Sequence, residues 1–298
     1  MLFRSVLADE IRERKDGRSL FRLQENLALE KELLAFRAAN SPSAGGSADS
    51  VPSHRWFHYT DVPIQDAHYA DGNAGRSQWD VVHMTEYCIR VLEGAEPADN
   101  PRKITPSVAL VLLAHYVGDL HQPLHVGAAY LNQNGELRYP GRDADALDDQ
   151  GGNLIDFGAS TLHAYWDVET VDSALSQERR LEGNDALTLV QWARKLAMQE
   201  PVKWKPDANV APEKWIELWA DEILPIAREA HDRLRIYPAS QTTDRTGKLV
   251  FRWSAVAKPS VAGADPYDVW SGRAVREELQ KAGWRLACLL QIVFEAKH

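Results

Sequence analysis

The tightest constraint on this chain is the eleven-residue run His115-Tyr-Val-Gly-Asp119-Leu-His121-Gln-Pro123-Leu-His125. It closes an apolar stretch that opens at Thr105-Pro106, a capping hydroxyl followed by proline at the first helical turn. Val108, Val111, Leu112, His115 and Asp119 recur every three to four residues, so both polar residues lie on the apolar stripe of one helix. That helix is predicted to run to about Leu120, and Pro123 predicts a break near Gln122. A separation of four lets one helical face present His115 and Asp119 to the same point, and His125 can fold back toward it. Burying an ionised aspartate is costly unless something pairs with it. Three imidazoles and a carboxylate match the donor set that zinc prefers, and zinc in a cleft commonly serves hydrolysis. The competing reading is a buried histidine hydrogen-bonded to Asp119. Composition alone gives His, Asp at +4 and His at +10 roughly 0.03 times in such a chain, a weak-to-moderate signal that placement on an apolar stripe strengthens.

The rest of the chain reads as helices joined by loops. Leu20, Leu23, Leu27, Leu34 and Phe36 give residues 18–38 a helical pattern, and 40–53 read as a flexible loop. A helix is predicted over 77–93, with Ser77 as N-cap and Gly94 as stop. Residues 129–152, rich in Gly and Asp, read as an irregular excursion. Further helices are predicted at 161–168, 184–199, 212–234 and 270–296, and Pro225 should kink the one over 212–234. Residues 248–253 can form a short hairpin. There is no internal repeat, and the alternation of a large sheet is missing, so the expected class is mainly α in a single domain, 1–298.

Composition narrows the function. The chain has 298 residues, 44% of them hydrophobic, enough for a substantial core. A net charge of -9 argues against binding nucleic acid by bulk charge, so phosphate recognition must be local, and bound cations could supply it. Cys88 and Cys288 lie in no CxxC pair, which excludes a Cys-rich zinc finger; they are either one disulfide or two thiols. No apolar run approaches the ~20 residues of a membrane span. The start, residues 1–9, is a short apolar stretch broken by Arg4 and does not read as a secretory signal.

Three further elements carry chemistry. Gly151-Gly152-Asn153 is followed by Leu162-His163-Ala-Tyr-Trp166-Asp167. A His and an Asp four apart occur about once by chance in such a chain, so this pair gains meaning only beside the first run. Trp56-Phe57-His58-Tyr59-Thr60-Asp61-Val62-Pro63 is an extended stretch with another His and Asp. Ala8-Asp9-Glu10-Ile11-Arg12, standing alone, is a solvated ion pair on a helix. His54, His68, His83, His231 and His298 read as structural, and Trp192, Trp215 and Trp219 as packing residues. Asp143, Asp145, Asp148 and Asp149 lack the ordered spacing of a calcium loop and read as a solvated acidic loop.

Taken in order, these four elements resemble the zinc-dependent single-strand-specific nucleases of fungi, plants and bacteria, which also act as 3'-nucleotidases. Bacterial zinc phospholipase C is a more distant relative of the same fold. The resemblance spans about residues 8–296 and is strongest over 54–170. It implies one zinc held by Asp9, His58, His115 and Asp119, and a second held by His125, His163, Asp167 and water. It places Tyr59 where an aromatic ring stacks on a nucleobase and Asp61 where a carboxylate hydrogen-bonds the base. Asn153 becomes a substrate contact, Arg12 contacts the phosphate, and Asp9 orients the attacking water. His121 matches no family ligand and is expected to bond backbone or support a ligand. The implied activity is zinc-dependent phosphodiester hydrolysis of single-stranded DNA and RNA through a metal-activated water, in a periplasmic or secreted protein.

The departure is at the front. The family's mature chain begins with a Trp whose amino group binds a third zinc, helped by a nearby His, and this sequence has neither residue before His54. The expectation is a chain lacking the family's first helix, weakly active or inactive as written, with a third zinc in a longer product. Two alternatives accompany it. One is a zinc phospholipase C, which Tyr59 and Asp61 argue against. The other is a non-catalytic zinc-binding relative, which the missing front ligands favour and the intact donor sets oppose.

Overall fold

Several helices begin where a side chain accepts from their free N–H groups. In the computed structural model, which describes residues 27–41, 53–97, 99–205, 210–243, 247 and 249–295, helix α1 spans Leu27–Ala39. Residues 18–26 and 42–52 of the predicted helix and loop lie outside the described residues. Helix α2 is Val81–Glu93 and ends on left-handed Gly94, as predicted. Its N-cap is Asp80 rather than Ser77, so it starts later than expected. The Asp80 carboxylate takes both Ser77 N and His83 N, while the Ser77 hydroxyl accepts from Trp79 N one turn too early. Helix α3 is Pro106–Asp119, and the Thr105 hydroxyl caps it by accepting from Val108 N.

The region 129–152 is not irregular throughout. Strand β1, Val62–Pro63, pairs in parallel with β2, Gly127–Ala128, and β3, Tyr130–Leu131, pairs antiparallel with β4, Leu147–Asp148. The acidic loop is a correction too. Asp149 is fully buried, accepts from Ala129 N and pairs with His231 at 2.8 Å, and Asp148 is half-buried in β4. Beyond β5, Ile155–Phe157, and β6, Ser160–Thr161, the predicted helix over 161–168 proves to be only a beginning. A short helix α4, Leu162–Ala164, runs through a π turn, Tyr165–Glu169, into α5, Thr170–Glu182.

Helix α6 is Leu189–Ala197, shorter than 184–199 because a Thr188–Gln191 capping box fixes its start. Helix α7, Pro212–Asp232, has proline in its first turn and runs on through Pro225. Strands β7, Leu234–Ile236, and β8, Ser240–Thr243, both pair antiparallel with β9, Leu249–Ala257, and β9 also runs parallel to β5. The expected hairpin is therefore one arm of a five-stranded sheet. Helix α8, Tyr267–Glu295, closes the described chain. The architecture is mainly α, as the sequence predicts.

The largest core joins α1, α2, α3, α7 and α8 through residues such as Phe36, Ile89, Leu112, Tyr116, Trp219, Ile223 and Leu289. A second, around Leu124, Leu162, Trp166, Trp253 and Trp270, glues the sheet to α7 and α8. A third holds Leu175, Trp192 and Leu196. Trp192, Trp215 and Trp219 are buried packing residues, as expected. Both cysteines are free: Cys88 is fully buried in the first core, where burial pushes its thiol well up, and Cys288 is half-buried. Among the described residues, no helix is long and apolar enough to cross a membrane.

Candidate metal centre

Two turns of irregular backbone meet at the end of α3. The turn His54–His58 leads into β1, and the turn Pro123–His125 leads into β2. The β1–β2 pairing, extended by Thr60 N donating to His125 O at 2.8 Å, sets these turns side by side. His58 thus reaches the face of α3 that carries His115 and Asp119. His58 Nδ1 lies 2.8 Å from His115 Nε2 and 3.1 Å from Asp119 Oδ2, and His115 Nε2 lies 3.1 Å from the same oxygen. His58 and His115 are buried and the Asp119 side chain is 12% exposed.

The second group forms on the far side of the Pro123 break. His163 stands on α4 and Asp167 four residues on, in the π turn. His125 Nε2 is 3.4 Å from Asp167 Oδ1, His163 Nε2 is 3.6 Å from Asp167 Oδ2, and the two rings stack with centroids 4.8 Å apart. Asp119 turns its other oxygen, Oδ1, to within 3.7 Å of His125 Nδ1, so one carboxylate lies beside both groups.

These residues fit a pair of zinc ions. His125 Nδ1 lies 2.7 Å from His58 O, and His163 Nδ1 lies 2.8 Å from Gly151 O. A carbonyl only accepts, so each ring donates through Nδ1 and keeps its Nε2 lone pair for the group. Such lone pairs facing a carboxylate need a cation or a proton between them. Tetrahedral zinc with ~2.0–2.1 Å bonds sets its ligand atoms about 3.3 Å apart, and the separations in the two groups bracket that value. The electrostatics make the same demand. Burial raises the Asp119 carboxyl, but the His115 and His125 charges and two hydrogen bonds outweigh it and hold it well below the carboxylate range. Burial lowers His125, yet Asp119 and Asp167 push it up to about 9.

Glycine makes the second group possible. Gly151 has φ of +56°, and a Cβ there would lie 2.2 Å from Leu124 O. Only glycine lets this carbonyl-bearing turn press against the Pro123–His125 turn and present its oxygen to His163. Gln122, which the sequence reading passed over, bridges the two sides. Its Nε2 donates to Asp167 Oδ1 at 2.9 Å, and its Oε1 accepts from Leu124 N. Its place between His121 and Pro123 was the available signal.

Just after His58 in the chain, Tyr59 and Asp61 are half-buried. Burial, then Asp61 and Asp148, push the Tyr59 phenol up to about 12. Burial, then Asp148 and Asp149, raise the Asp61 carboxyl well above the usual range, and no described residue hydrogen-bonds it. Asn153 is exposed and donates to Gln150 O at 2.9 Å. Asp9, Arg12 and His298 lie outside the described residues. His121 joins neither group: its Nδ1 meets Val117 O at 2.7 Å. His83 pairs with Asp80, His68 with Asp221, and His231 with Asp149, all structural roles.

Residues 38–295 match the family model described as S1/P1 Nuclease. The relatives include Endonuclease 4 of Arabidopsis thaliana, 25% identical over 312 residues, which cover 95% of this chain and 89% of that protein. Endonuclease 5 of the same plant is 25% identical over 299 residues, covering 92% and 85%. Endonuclease 1 is 28% identical over 139 residues, covering 42% and 39%.

Proposed function

The chain belongs to the S1/P1 nuclease family, and from that premise we propose that it is a single-domain, zinc-dependent phosphodiesterase that cuts single-stranded DNA and RNA, with 3'-nucleotidase activity beside it. The observation that carries the reading is the pair of His-His-Asp groups, in the second of which both Nε2 lone pairs are fixed by carbonyl acceptors. His58, His115 and Asp119 would hold one zinc, and His125, His163 and Asp167 the other. Bound zinc supplies Lewis acidity, polarising a phosphoryl oxygen and lowering the pKa of water.

The chain's own residues do the rest. Asp119, between the groups, keeps them in register, and Gln122 fixes the Asp167 carboxylate. Tyr59 offers a half-buried ring to a base, and Asp61 offers to the base edge a carboxyl that no described residue hydrogen-bonds. This pair favours a nucleobase over a choline headgroup. Asn153 is a further substrate contact. Arg12 contacts the phosphate and Asp9 orients the attacking water. With a net charge of -9, the protein does not attract phosphate by bulk charge, so bound metal would supply much of the local attraction and tie substrate binding to metal loading. A secreted or periplasmic site of action accompanies this reading.

Hydrolysis of single-stranded DNA and poly-adenylate, followed with zinc and after chelation, tests it. The expected result is cleavage that chelator abolishes and zinc restores, and a loss of at least roughly 100-fold in His115→Ala and His125→Ala. Cleavage of phosphatidylcholine with nucleic acid left intact would overturn it.

A further inference from the structure

His121 stands between the two ligand groups, two residues after Asp119 and four before His125, yet it faces the core. Its Nδ1 lies 2.7 Å from Val117 O, and its Nε2 lies 3.0 Å from Arg285 Nη1. A carbonyl only accepts and a guanidinium only donates, so the ring is neutral, protonated on Nδ1 and accepting on Nε2. Both partners are thereby assigned, and no lone pair remains for metal. The ring caps the last turn of α3, the turn that delivers Asp119.

Arg285 comes from α8 and is 2% exposed. A guanidinium so deeply buried must be fully occupied. Its Nε donates to Trp204 O at 3.1 Å, Nη2 donates to Glu222, and the plane lies 5.2 Å from the Trp219 ring centre. Three of its contacts are to residues that belong to neither group, of which Trp219 also packs on the His121 ring with centroids 5.7 Å apart, and the fourth is His121. Here the core formed by α7 and α8 is tied by a directional bond to the backbone joining the two groups.

We propose that Arg285 is a positioning residue for both zinc-ligand groups, acting through the His121 ring. The proposal rests on the zinc reading above. Without the Arg285 donor, the His121 ring keeps only its bond to Val117 O, and the segment from Asp119 to His125 loses a directional bond to α8. Asp119 belongs to one group and His125 to the other, so both should loosen together. Outer partners of metal ligands typically change metal affinity by roughly 10- to 100-fold.

The test measures zinc content by elemental analysis and zinc affinity by competition with a chromophoric chelator. It uses the wild-type chain, Arg285→Met, Arg285→Lys, Glu222→Gln and His121→Gln, at a temperature where circular dichroism shows each folded. We expect Arg285→Met to weaken both sites by about 10-fold or more. Arg285→Lys keeps one donor and recovers part of the loss. Glu222→Gln removes only a partner whose side chain is 45% exposed and binds zinc as the wild type does. The double variant Arg285→Met/His121→Gln loses no more than the larger single loss, because one path is cut twice. Wild-type affinity in folded Arg285→Met, weakening of one site alone, or additive losses in the double variant would overturn the proposal. If Arg285→Met does not fold, Arg285→Lys and His121→Gln decide it, and wild-type affinity in both overturns it. A wild-type chain that takes up no zinc refutes the zinc reading itself, which is a distinguishable result.

Discussion

Gln122 serves two partners with one amide, holding its own turn at Leu124 N and the Asp167 carboxylate across the cleft. Gln122→Ala should therefore weaken zinc at the His125 group by about 10-fold and leave the His58 group unchanged. Equal weakening at both, in chelator competition, would show a general loosening instead. Asp148 offers a pH test. Burial pushes its carboxyl up to about 7, above the ordinary 3.8. The folded chain then keeps a proton that the unfolded chain releases, so stability falls as pH rises from about 4 through about 7. Asp148→Asn should gain about 1 kcal/mol at pH 8 in urea unfolding, after allowance for solvent screening, and nothing at pH 4. A gain independent of pH would count against a retained proton. Residues of this kind divide by how far their partners lie in sequence. His115, Asp119 and His125 were legible because they lie in one short run, and His163 and Asp167 became so only beside that run. Gln122 and Asp149 were not, because their partners Asp167 and His231 lie 45 and 82 residues away.

At the scale of elements, chemistry depends on short irregular pieces held by long regular ones. Helix α3 is regular and brings two of the candidate ligands; the short helix α4, the turns around His58 and His125 and the π turn bring the others. The glycine turn at Gly151 is the tightest joint among them. Gly151→Ala adds a Cβ against the Leu124 carbonyl and forces alanine into left-handed backbone. It should cost about 2–4 kcal/mol of stability and displace the carbonyl that orients His163. Denaturant unfolding reads the first effect and zinc content the second; a loss under about 0.5 kcal/mol would mean that the turn relaxes freely. Helix ends announced themselves where proline or glycine stood, as at Pro106 and Gly94. The start of α2 did not, since Ser77 and Asp80 are both good caps and only the fold decides between them. Helix α5 was missed because its surface is largely polar, and β5 and β6 are too short for any periodicity to show.

For the whole molecule, the absence of long alternating stretches correctly indicated a mainly α chain. The five-stranded sheet stayed hidden because β9 finds its parallel neighbour, β5, about a hundred residues earlier in the chain. Metal should act on this whole assembly, since candidate ligands from α3, α4, two 3-10 turns and the π turn meet only when it is folded. A cation that binds the folded chain alone stabilises it by mass action, increasingly with concentration. Cys88 supplies an internal gauge of that effect. Its thiol is sealed in the largest core, while Cys288 is partly accessible. A maleimide should modify Cys288 promptly and Cys88 only when the helices around it part. Zinc should lengthen the lifetime of unmodified Cys88 and leave Cys288 unaffected; equal rates with and without zinc would uncouple metal from the fold. The buried sulfur is thus a stopwatch, started by the reagent and stopped by the opening of the core.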